Sequence, residues 1–225
     1  MQEITQEKFK RDYVKASILL HESQFLVNAS NTLNTEDNAK SQLVLFTCIK
    51  YNFIALKNIH DSKCDFNIYN TDNEELNKLS KALNPYLEFA IHVRNLVSGH
   101  LDNGIIDNAV QWEPFIFAKG LEKHESNNKE IQLIIIYRTL LESAINSYVD
   151  KDGRQKQFGE ELDLNIPQYS SMLLDYMNSA NDASFAYLTE LTHYLNDKIE
   201  YIEDLSGLFN AMQLAANTDF SNYKK

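Results

Sequence analysis

Breaks are what this chain lacks. Its 225 residues include only 6 glycines and 3 prolines, well under the usual shares of about 7% and 5%. Sandwich and Rossmann-type folds turn often and use glycine to do so. A chain this poor in turn residues, with apolar side chains returning every third or fourth position, predicts long helices joined by few connections. The expected fold class is all-α, an antiparallel up-and-down helical bundle.

The periodicity divides the chain. Residues 4–33 read as a first helix with Phe9, Tyr13, Ala16, Leu20 and Val27 on one face. Thr35 caps a second helix, with Glu36 and Asp37 in its first turn, that carries Leu43, Phe46, Phe53 and Leu56 inward as far as about His60. Residues 61–73, rich in Asp and Asn, read as a loop. Glu74 to Leu83 is helical, Asn84-Pro85 restarts or kinks the chain, and a further helix runs from Pro85 to about Asp102 before Asn103-Gly104. Residues 105–127, with Trp112, Phe115, Ile116 and Phe117, read as an irregular aromatic plug over the bundle end. Lys129 to Val149 makes another helix, 153–166 a linker, and Pro167 opens a last helical region that NSANDA at 178–183 divides in two. There Leu188, Leu191, Leu195, Ile202, Leu205, Phe209 and Met212 continue the apolar spacing. Two units follow from this division: a bundle over 1–152 and an acidic carboxy-terminal helical region over 153–225 packed on it, or one single domain.

Charge narrows the partners. The formal net charge is -11, and from Gln157 onward 11 acids face 3 lysines. Such a surface repels phosphate backbones, so nonspecific nucleic-acid binding is disfavoured and any RNA contact belongs to the first two thirds. The amino terminus has no apolar signal region, and the most apolar run, Ile131 to Tyr137, is far too short to span a bilayer. No membrane partner is expected, and the cytoplasm is the expected location. Cys48 and Cys64 stand apart, outside any CxxC pair, and read as reduced thiols.

Most chemistries lack a foothold. Di-iron bundles need two Glu-x-x-His motifs, and Glu190 with His193 supplies one. There is no HExxH, no Walker loop, no GxGxxG and no GxSxG. Neither a metal nor a cofactor is expected. Cys48, among apolar neighbours, reads as a small hydrophobe, and Glu88 with His92 as a surface pair. One segment remains, RNLVSGH at Arg94 to His100. Arginine offers a permanent planar cation for phosphate, and histidine exchanges a proton near neutral pH. On a continuous helix Arg94 and His100 lie three positions either side of Val97, roughly 60° apart from it and about 9 Å along the axis. Both would then reach one ligand lying across Val97.

This segment resembles the signature of the HEPN superfamily (higher eukaryotes and prokaryotes nucleotide-binding): arginine, four to six residues, histidine, with a polar residue, here Asn95, after the arginine. The likeness covers the helical pattern of roughly 36–150. It implies an all-α bundle that dimerises to bring two motifs into one cleft, and in many members a metal-independent ribonuclease of toxin–antitoxin, phage-defence or RNA-processing systems. It would assign phosphate binding to Arg94, proton transfer to His100, and orientation of substrate or His100 to Asn95. Where some members carry a tyrosine two positions after the histidine, for modification by an antitoxin, Asp102 stands here. Expected partners are a second copy of the chain, RNA, and a protein such as an antitoxin. The alternative is a noncatalytic helical module that docks a basic protein on its acidic surface, with Arg94 paired to Glu88 or another carboxylate and His100 finishing its helix.

Overall fold

Helices form wherever the apolar stripe is sustained, and in several places they run further than the polar residues suggest. The computed structural model describes residues 4–31, 39–99, 102–117 and 126–201. Among these residues it contains α1 (Gln6–Asn31), α2 (Ala39–Asp72), α3 (Glu74–Arg94), α4 (Asn103–Trp112), α5 (Ser126–Asn146) and α6 (Pro167–Asn196). Backbone pairing of β type among them is limited to a bridge between Val149 and Gln155. The all-α bundle expected from glycine scarcity is the observed architecture. No helix among the described residues is long and apolar enough to cross a membrane.

The expected loop at 61–73 is instead the second half of α2. Its 34 residues span about 51 Å at 1.5 Å per residue. The Asn and Asp residues that suggested a loop lie largely outward, whereas Ile59, Phe66 and Tyr69 are fully buried. Those three continue the stripe of Phe53 and Leu56, so burial on one face outweighs the weak helix propensity of the other. The break comes at Asn73, whose side chain accepts the Leu76 amide at 3.1 Å and caps α3. Nor does the chain restart at Pro85, which lies inside α3. There the Lys63 ammonium reaches across from α2 to the Ser80 carbonyl at 3.3 Å and to Asn84 Oδ1.

The expected plug at 105–127 resolves differently too. Asp102 caps α4 by accepting the Gly104 and Ile105 amides at 2.9 and 3.3 Å. Ile105 and Ala109, one turn apart, bury against Leu140 of α5, which makes a helix more favourable than an irregular cover. Trp112 is 49% exposed, so it does not fill the bundle end. Pro114–Phe117 forms one 3₁₀ turn. The Thr35 cap and the stripe from Ile202 to Met212 lie outside the described residues.

The main core joins α1, α2, α3, α5 and α6. At its centre Phe89 meets Tyr176 edge-on at 5.0 Å and Phe158 at 5.6 Å, geometries that suit the aromatic quadrupole. The Tyr176 hydroxyl donates to the Tyr86 carbonyl at 2.6 Å, and burial raises its pKa well above the ordinary tyrosine value. α6 is not divided at NSANDA: Ala180 and Ser184 are fully buried, so these small residues let α6 approach its neighbours closely. α1 and α6 run antiparallel, since Gln6 at the start of α1 bonds the Lys198 carbonyl and the Glu200 amide just past the end of α6, both at 3.0 Å.

Residues 153–166, read as a linker, are tied down. Asn146 Nδ2 donates to the Leu162 carbonyl at 2.9 Å and Asn146 Oδ1 accepts the Leu162 amide at 2.8 Å. Glu142 accepts the Leu164 amide at 2.9 Å. Leu162 and Leu164 then sit in the main core. Gly153, at φ 78°, supplies the turn that lets Val149 and Gln155 pair.

Candidate functional site

Arg94 is the last residue of α3, and the backbone changes character immediately after it. Asn95–Gly99 forms a π-helical turn, a rare conformation that tends to occur at functional sites. The Asp102 amide closes it onto the Leu96 carbonyl at 3.2 Å. Val93 and Val97 are buried at 0% and 7% exposure and hold this turn in the core, against α2 and α5. Because i→i+5 bonding takes more residues per turn, the even spacing about Val97 expected on a continuous helix does not hold past Arg94. His100 lies outside the described residues.

Arg94 is half-buried and Asn95 exposed. Arg94 Nη1 donates to Asn95 Oδ1 at 3.4 Å, a long contact with its own neighbour. Among the described residues its Nε is buried without a hydrogen-bond partner, and so is the Ser98 hydroxyl one turn on. An unsatisfied buried polar group costs about 1–3 kcal/mol, so two within five residues are notable. No carboxylate among the described residues forms an ion pair with Arg94. Glu88, the partner weighed for it from sequence, pairs instead with Lys156 at 3.4 Å. Among the described residues nothing neutralises the guanidinium charge.

Two residues earlier, His92 belongs to a group that sequence spacing did not reveal. Its Nε2 lies 2.9 Å from Ser147 Oγ, and its ring centroid lies 5.0 Å from that of Tyr148. Ser147 in turn donates to the Ala144 carbonyl at 2.9 Å. Burial lowers the His92 pKa, opposed by a hydrogen bond to the Ala144 backbone. Lys156 donates to the Tyr148 hydroxyl at 3.0 Å, and that bond, followed by the pairing with Glu88, raises the lysine pKa. Glu88 and His92 are therefore not simply each other's surface partner. The Glu88–His92 spacing was the sole local signal, because Ser147, Tyr148 and Lys156 lie more than fifty positions away.

On the neighbouring face of α5, Arg138 pairs with Glu113 at 2.9 Å and so differs from Arg94 in being neutralised. Burial raises the Glu142 pKa, opposed by the amide of Leu164, consistent with its place as a loop anchor. Cys48 is partly buried, and burial raises its thiol pKa, which suits packing better than nucleophilic attack. Comparison with protein-family models, with curated proteins and with solved structures finds no match to this chain.

Proposed function

We propose that the chain is a HEPN-like protein that binds RNA through Arg94 and cleaves it without a metal, acting as a homodimer that brings two RNLVSGH segments together. The observation that carries this reading is the Arg94 guanidinium, half-buried at the end of α3 and without a carboxylate partner among the described residues. A phosphate satisfies both its charge and its unused donors. In the reaction the RNA 2′-hydroxyl attacks the adjacent phosphorus, losing its proton to a base. The 5′-oxygen leaves and takes up a proton, and a 2′,3′-cyclic phosphate remains. His100 is assigned the proton transfers from the sequence motif, Arg94 the charge on the phosphate, and Asn95 the orientation of the substrate.

RNA cleavage by the purified protein tests this. Activity should persist in EDTA and follow a histidine-like pH profile. His100→Ala should abolish turnover. Arg94→Ala should weaken binding and rate by about ten- to a hundredfold, since a hydrogen bond to a charged group is worth about 1.5–3 kcal/mol. Wild-type turnover in folded His100→Ala would remove the site from that position. A noncatalytic docking role draws support from a different place, the apolar groove between α1 and α2. There Phe25 and Tyr51 are 64% and 53% exposed beside Leu26 and Ile54. No cleavage across varied RNAs, together with capture of a defined basic protein that Phe25→Glu abolishes, would favour that role.

A further inference from the structure

A cleft lies between α1 and α6. It holds about 370 Å³ and is lined by Ser23, Gln24 and Asn28 of α1 and by Asn181, Asp182 and Phe185 of α6. That volume lies within the range of about 300–1,000 Å³ that small-molecule sites occupy. Asn181 is only 9% exposed, yet its amide makes no hydrogen bond to any described residue. Its amide atoms are not sealed from solvent, and they face the cleft that Asn181 lines. Gln24, Asn28 and Asp182 are exposed and make no hydrogen bond or ion pair with described residues, whereas Ser23 is satisfied by the Leu19 carbonyl at 2.9 Å. The cleft therefore gathers three amides and a carboxylate that bond to no described residue and are open to a ligand in exchange for water, beside the half-exposed ring of Phe185.

The residue types narrow the ligand. The carboxylate repels phosphate and other anions, so this is not a second anion site. The amides each offer a donor and an acceptor, and the aromatic ring offers a face for a planar group. From these we infer that the α1–α6 cleft binds a nucleobase, with guanine preferred. The Watson–Crick edge of guanine carries two N–H donors, which a carboxylate accepts, next to a carbonyl, which an amide N–H₂ satisfies. Adenine sets a bare ring-nitrogen acceptor where guanine has N–H, and that acceptor faces Asp182 unfavourably. Phe185 stacks on the base, as aromatic side chains do when they hold single unstacked bases. The inference does not depend on Arg94, and it stands or falls separately from ribonuclease activity. The same chemistry is offered by free guanosine and by an unpaired guanine in RNA.

The test is a titration of the full chain with guanosine, adenosine, cytidine and glucose, followed by saturation-transfer NMR and calorimetry. Guanosine should bind saturably and at least tenfold more tightly than adenosine. Folded Asn181→Leu and Asp182→Asn should each lose tenfold or more of that affinity, the consequence of one good hydrogen bond left unmade at about 1.4 kcal/mol per decade. Phe185→Ala, at an exposed position that the fold tolerates, should weaken all bases together and so reads out stacking even if Asn181→Leu fails to fold. A short single-stranded RNA containing one guanine then separates the sources. Displacement of guanosine by it, lost in Asp182→Asn, assigns the site to RNA, and failure to displace assigns it to the free nucleoside. Absence of guanosine binding at millimolar concentration overturns the inference. So does binding unchanged in the folded variants, or tighter binding of glucose.

Discussion

Replacing Asp12 by alanine should destabilise the fold more than any surface change of similar size. Asp12 is fully buried. Its Oδ2 accepts from Lys8 Nζ and, at 2.8 Å, from the hydroxyl of the equally buried Tyr69, while Oδ1 lies 3.2 Å from Arg11 Nε. Tyr69 also stacks on Phe9 of α1 at 5.8 Å and meets Tyr194 of α6 at 6.0 Å, so this carboxylate sits where α1, α2 and α6 converge. Burial, then the bond to Asp12, raises the Tyr69 pKa well above its ordinary value, which keeps the hydroxyl protonated as a donor. Breaking a buried charge pair costs about 3–5 kcal/mol. Here the lower half applies, because Lys8 keeps a contact with the Asp65 carbonyl at 3.4 Å and about a quarter of its side chain is in water. Set against a typical total of about 5–15 kcal/mol, a loss near 3 kcal/mol is large. Tyr69→Phe alone should cost about 1.5–3 kcal/mol, the worth of a hydrogen bond to a charged acceptor. Once Asp12 is gone the same change should cost far less, because the bond it removes no longer exists. Urea unfolding followed by far-ultraviolet circular dichroism measures all four corners of this cycle. An Asp12→Ala variant within 1 kcal/mol of wild type, or additivity of the two changes, would refute the reasoning.

Three further outcomes follow from the same structure. Because burial holds His92 below its unfolded pKa of about 6.5, its contribution to stability is full above that pH and is lost as pH falls through the folded value. Wild type should therefore lose stability relative to His92→Gln below about pH 6.5, seen as a falling urea midpoint. Asn146→Ala should cost about 1–3 kcal/mol by removing both bonds to Leu162, and amide exchange across 155–166 should quicken before that of α6. Phe66→Ala should cost about 3–5 kcal/mol, since its side chain is fully buried; a loss under 1 kcal/mol in chemical denaturation would mean that α2 ends near His60.

What the residues alone determined is what depends on near neighbours in the chain. Apolar spacing and the shortage of glycine dictate helices, because an amphipathic stripe is complete within a few turns. The arginine and asparagine of RNLVSGH were legible because type and adjacency are local. Tertiary structure decided the rest. It carried α2 through the Asn- and Asp-rich stretch, where Phe66 and Tyr69 could be recognised as core only once α1 and α6 were present to cover them. It turned Asn95–Gly99 into a π turn, and so removed the simple helical geometry around Val97. It brought Ser147 to His92, drew Lys156 to Glu88, and left Arg94 without a carboxylate partner among the described residues, none of which spacing encodes. Asn181 and Gln24 lie more than 150 positions apart and share a cleft only because α1 and α6 lie side by side. Helix formation is settled over about four residues at a time, whereas a site is settled by which helices pack together and by the polar groups that packing leaves unpaired.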